Sequence, residues 1–133
     1  MKYFPEYTKA NELHEILKRK LETFREYLGY PATITSGYCS TGHSENSEHY
    51  SKDGDKPCSQ AADISTKAPL WWALLCAERA GFENIGVYPA FNGLHLGIRG
   101  NENRRWIGKG VDSSQEYVTW CIDNLASIMV GGI

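Results

Sequence analysis

Apolar residues recur at three- and four-residue spacing from Leu13 through Ile16, Leu17, Leu21, Phe24 and Leu28. That spacing predicts an amphipathic helix over Asn11 to Tyr27, ended by Gly29. The pattern then changes to the β-branched run Ala32 to Tyr38 (A-T-I-T-S-G-Y), which reads as a strand. From Cys39 to Gln60 there is almost nothing apolar to bury, and a long polar stretch inside a domain is usually functional or disordered. Ala61 to Ser65 (A-A-D-I-S) reads as a short buried strand. Ala68 to Ala80 reads as a helix, with Pro near its start and Gly after its end. Because this helix is apolar nearly all round, Trp71, Trp72 and Cys76 are expected deep in the core. Ile85 to Tyr88 and Leu94 to Ile98 are further strands, expected to form a hairpin through Pro-Ala-Phe-Asn-Gly. A last helix, capped by Asp112 or Ser113, is expected to bury Val118, Cys121, Ile122, Leu125 and Met129 and to stop at Gly131 and Gly132. Helices at both ends with short strands between them predict one α+β domain over residues 1–133, a small, mostly antiparallel sheet with flanking helices.

The 133 residues are 41% hydrophobic and 23% charged, with a net charge of -2. These values exclude a disordered chain and give no reason to expect a nucleic-acid partner. The local basic cluster of Arg99, Arg104, Arg105 and Lys109 around Trp106 reads first as a solvated loop face. Its alternative is a set of cations beside a pocket, able to hold a substrate carboxylate. No apolar run has the length of a secretory leader or a membrane span, so the expectation is a monomer without a membrane partner, cytoplasmic as synthesised. Cys39, Cys58, Cys76 and Cys121 form no C-x-x-C pair and imply no disulfide scaffold.

Three side chains stand out as chemistry. His49 lies in the polar stretch, Asp63 interrupts the apolar A-A-D-I, and His95 interrupts G-L-H-L-G-I. A carboxylate or imidazole within an apolar strand demands a partner. The pair could satisfy each other as a buried Asp–His hydrogen bond, or both could join His49 on zinc, which takes nitrogen and oxygen donors in a tetrahedron. Spacing alone leaves the two readings level. The isolated His14 reads as a surface or packing residue.

The surrounding text resembles the zinc peptidase family of D-alanyl-D-alanine carboxypeptidases and murein endopeptidases, related in fold to the hedgehog signalling domain. The segments are S-G-Y-C-S-T-G-H-S-E-N-S-E-H, A-A-D-I, G-F-E-N-I-G-V-Y-P and G-L-H-L-G-I-R-G, in order from about Thr35 to Trp106. The resemblance implies His49, Asp63 and His95 as the zinc ligands. It also implies hydrolysis of peptidoglycan peptide bonds containing D-amino acids, with water activated at the open zinc position. A chain without a leader then suits a phage-encoded lysis protein that reaches the wall by another route.

The sequence departs from that family at three points. Residues 50–62 separate His49 from Asp63, against an H-x6-D arrangement, and the extra text brings Cys58 into range as a possible fourth ligand. Cys39 stands where the S-G-Y-R-S motif has arginine, so Arg99, or else Arg104 or Arg105, is expected to replace it as the substrate contact, with Tyr38 of the same motif. Asn92 stands where many members carry the general base, and Gly97 where others do; Asn92 is then expected to touch substrate rather than move a proton. Glu45, His43 and Glu48 remain as candidates for the proton relay, Glu48 being the weakest because neighbours on an extended segment point to opposite sides. With the base and arginine absent, the alternative is a catalytically impaired zinc module for wall recognition or structure.

Overall fold

The computed structural model describes residues 1–8, 13–37, 59–100, 103–108 and 114–124. The first helix, α1 (Glu15–Leu28), starts later than the periodicity predicts, because His14 caps it: its Nδ1 accepts a hydrogen bond from the Ile16 amide at 3.2 Å. Leu13, fully buried, bridges to Ser59 instead of entering the helix. Leu17, Leu21, Phe24 and Leu28 form the buried stripe, together contributing about 6–12 kcal/mol of apolar burial. Gly29 ends the helix at φ 72°, a left-handed conformation that suits glycine.

The sheet contains β1 (Ala32–Ser36), β2 (Ala61–Thr66), β3 (Asn84–Tyr88), β4 (Gly93–Gly97) and β5 (Arg105–Ile107), in the order β1-β2-β4-β3-β5. The predicted hairpin of β3 and β4 is present, closed by a short 3-10 turn over Pro89–Phe91. It inserts β4 between β2 and β3. Both neighbours run antiparallel to β4, so β2 and β3 are mutually parallel and α2 (Leu70–Ala80) is the crossover between them. The architecture is α+β with a mixed, mostly antiparallel sheet.

The fifth strand departs from the expected solvated loop. Arg105, Trp106 and Ile107 pair in parallel with Ile85, Gly86 and Val87, and alternation sends their side chains to opposite faces. Arg105 turns to the helix side, where its guanidinium meets Glu78 at 2.6 Å and the Glu83 carbonyl at 2.7 Å. Trp106 turns to the other face.

All three helices share one core with Ile34, Ile64, Ile85, Val87, Leu94 and Leu96, so they bury one face of the sheet. Two sequence expectations are corrected there. Cys76 is buried on α2, but Trp71 and Trp72 are only half-buried and Leu75 is exposed, because α2 turns Leu70, Ala73, Leu74, Cys76 and Ala77 into the core and leaves its opposite side to solvent. On α3 (Ser114–Asp123) the buried residue is Tyr117, while Val118 and Ile122 are exposed; Tyr117 fills the space beside α2 and rotates the predicted stripe outward. Leu125 and Met129 lie outside the described residues, as do Asp112 and Ser113. No helix among the described residues is long and apolar enough to cross a membrane.

Candidate metal centre

Asp63 and His95 are direct partners in the β2–β4 register. Ile64 and Leu94 alternate with them into the core, which places the carboxylate and the imidazole together on the sheet face away from the helices. His95 Nδ1 lies 2.9 Å from Asp63 Oδ1. The imidazole is 12% exposed and the carboxylate 33%, so the pair is reached from the Asp63 side.

The same cross-strand row continues from His95 to Gly86 and then Trp106. A Cβ on Gly86 would fall 2.4 Å from Trp106 Cε2, so the indole lies flat over the bare glycine. From there it reaches the His95 ring at 5.2 Å between centroids. Trp106 Nε1 donates to the Tyr88 hydroxyl at 2.9 Å, and Tyr88 stacks on Phe91 at 5.4 Å. Phe91 in turn covers Gly93, whose added Cβ would lie 2.3 Å from the ring. Two glycines thus admit three aromatic rings, which wall one side of the Asp63–His95 pair. Burial pushes the Tyr88 hydroxyl above its ordinary pKa; the Trp106 hydrogen bond opposes this and the charge of Asp63 adds to it.

On the opposite side, β1 ends at Ser36, which pairs with Asp63 across a register shift between Ile34 and Ser36. Thr35 Oγ1 donates to the Asp63 carbonyl at 3.1 Å. Bulges of this kind recur beside active sites, where they re-aim side chains. The chain leaves this edge at Gly37 and returns at Ser59, two residues before β2 begins. The intervening residues carry His49, Glu45, His43, Glu48, Tyr38 and Cys58, all outside the described residues. Among the described residues, no third His, Cys, Asp or Glu joins Asp63 and His95 in a group able to hold a metal.

The donor set of the pair suits zinc. Two ligands on a tetrahedral ion at ordinary bond lengths stand about 3.4 Å apart, half an ångström more than the observed 2.9 Å. Deprotonated carboxylate and neutral imidazole are the forms that bind metal.

Two further candidates, Asn92 and Arg99, lie among the described residues. Asn92 sits at the left-handed φ of 51°, and its Nδ2 donates to the carbonyls of Thr66 and Ala68 at 2.7 and 2.8 Å. Its amide is a clamp between the hairpin turn and the end of β2. Arg99 lies two residues past β4, half-buried. Its carbonyl accepts from Asn84 Nδ2 at 3.1 Å, while Asn84 Oδ1 accepts from the Arg104 amide at 3.0 Å. The buried Asn84 therefore fixes both ends of the segment that bears Arg99, a role for which the sequence carries no signal beyond a polar residue opening a strand. No protein-family model, curated protein or solved structure matches this chain.

Proposed function

We propose that the chain is a zinc-dependent peptidase acting on peptidoglycan peptides, in which His49, Asp63 and His95 would hold the ion. The observation that supports this reading is the meeting of Asp63 and His95 on one open sheet face, 2.9 Å apart, in the order in which the resembling peptidase family supplies its second and third ligands. Zinc, when bound, supplies a Lewis acid for polarising water and a scissile carbonyl. The chain's own residues do the rest. Trp106, seated on Gly86 and tied to Tyr88, holds the His95 ring and keeps water from that flank. Glu45 or His43 moves the proton, and Arg99 engages a substrate carboxylate.

One observation favours a second reading, a zinc-holding module without turnover. The position at which many members of that family carry a base is Asn92, whose amide is committed to two backbone carbonyls and cannot move a proton.

Metal analysis of the wild type, Asp63→Ala and His95→Ala tests the metal centre. Stoichiometric zinc in the wild type and a loss of at least about tenfold in affinity in each variant is expected; unchanged zinc content in Asp63→Ala would refute the ligand set. Incubation of the zinc-loaded chain with purified peptidoglycan then separates the two readings. New amino termini above a His95→Ala control support the peptidase, and none with metal bound supports the module.

A further inference from the structure

A cavity opens on the helical side of the sheet, away from Asp63 and His95. It lies between the end of α1 and the start of α2, has a volume of about 440 Å³, and is lined by Tyr27, Leu28, Gly29, Tyr30, Pro69, Trp71 and Trp72. We propose that this cleft is a saccharide-binding site, taking a neutral pyranose ring of an oligosaccharide.

Four of the seven lining residues are aromatic, and Tyr27 and Tyr30 are 36% and 41% exposed. Large rings held at a surface rather than buried mark a contact site. Three of the four rings are also held in place. Trp72 Nε1 donates to the Leu28 carbonyl at 2.9 Å, tying α2 to the last turn of α1. Trp71 meets Trp72 edge-on at 6.2 Å, and the Arg79 guanidinium covers the Tyr27 ring at 4.4 Å. Pre-organised aromatic surface loses little entropy when a ligand docks.

The polar groups at the rim select the ligand. The cleft lies between the last turn of α1 and the start of α2, where the Leu28 carbonyl is already taken by Trp72 Nε1. The hydroxyls of its two exposed tyrosines, Tyr27 and Tyr30, can each donate and accept. A sugar hydroxyl is both donor and acceptor, and a pyranose presents apolar C–H faces to aromatic rings between its hydroxyls. A quaternary ammonium, the other common guest of aromatic cages, is disfavoured by the cation already seated on Tyr27. A proline-rich strand needs an extended series of grooves, whereas this is a single open cleft of about 440 Å³.

The proposal stands apart from the metal centre and is tested separately on the full chain. N-acetylglucosamine and glucose tetramers are titrated while tryptophan fluorescence and the indole N–H resonances are followed. Saturable shifts of the Trp71 and Trp72 signals are expected with at least one tetramer. Trp71→Ala and Tyr30→Ala, whose folding is checked by circular dichroism, should each weaken binding about tenfold. Asp63→Ala should leave the affinity unchanged. Absence of shifts up to the solubility of both sugars would overturn the assignment. So would undiminished binding by a folded Trp71→Ala chain, or saturation of these indoles by tetramethylammonium or a polyproline peptide but by neither sugar.

Discussion

Gly86→Ala adds one methyl group to the middle of β3, on the face that carries the metal centre. Its expected effect follows from what that methyl meets. The new Cβ would lie 2.4, 2.5 and 2.7 Å from Trp106 Cε2, Nε1 and Cζ2, the body of a ring that is 7% exposed. Gly86 has no positive φ, so the backbone itself accepts alanine and the whole penalty comes from the indole. Trp106 cannot simply swing away with its strand. The Ile85 amide bonds the Arg104 carbonyl at 3.0 Å, the Gly108 amide bonds the Val87 carbonyl at 2.8 Å, and Arg105 is held by Glu78. The ring must therefore leave its rotamer, at about 1–3 kcal/mol for overpacking, and surrender its bond to Tyr88, at about 1 kcal/mol more.

Together these destabilise the chain by about 2–4 kcal/mol, a fall of roughly 1–2 M in the urea midpoint. In a Trp106→Ala background the same substitution should change sign. With no ring to displace, alanine in a strand gains about 0.5–1 kcal/mol over glycine, so the double-mutant cycle has a coupling energy of about 2.5–5 kcal/mol. Urea unfolding followed by far-ultraviolet circular dichroism measures all four chains without relying on tryptophan fluorescence. A Gly86→Ala penalty below about 0.5 kcal/mol, or an equal penalty in both backgrounds, would refute the seating of Trp106 on Gly86.

Two further outcomes are expected. Asn92→Ala should lower stability by about 2–4 kcal/mol, because two carbonyls lose their donor and alanine must adopt a positive φ; Asn92→Gly should recover the backbone part, and equal melting temperatures for the two variants would show that the φ angle contributes nothing. Stability should also fall in alkali. Burial pushes the Cys76 thiol from an ordinary 9.0 up to about 11, and burial raises Tyr88 and Tyr117 as well. These groups keep their protons in the folded chain after the unfolded chain has lost them, so the contribution is complete below pH 9 and declines as pH rises toward 11. A melting temperature that holds level or rises over that interval would contradict this burial.

The elements built from local pattern were legible in the sequence. The leucine spacing of α1, the apolar run of α2 and the turn between β3 and β4 depend on residues close in the chain, and each element is present there, with both helices starting later than the pattern suggests. Strand order was not legible, since the insertion of β4 between β2 and β3 is decided by which faces must be buried together. Nor was β5, whose three residues include an arginine and acquire strand geometry only by pairing with Ile85 to Val87. The surface of α2 misled because a helix apolar nearly all round suggests full burial, whereas Trp71 and Trp72 line an open cleft.

The site divides along the same line. Asp63 and His95 were conspicuous because each is a lone ionisable residue in an apolar strand, where an unpaired charge is costly, and they do meet. Their supports were invisible, because Gly86 and Gly93 carry no chemistry and matter only through the rings that fold over them. The described carboxylates Glu78 and Glu83 are engaged on the helical side by Arg105 and Lys20, and Asn92 is locked into the hairpin turn. In the proposed peptidase the proton relay is assigned to the polar stretch that follows β1. That stretch carries Glu45, His43 and Glu48, and it also carries His49. Metal binding and proton transfer would then depend on one segment, so a change there can remove turnover through either route, and zinc content has to be measured beside activity to tell them apart.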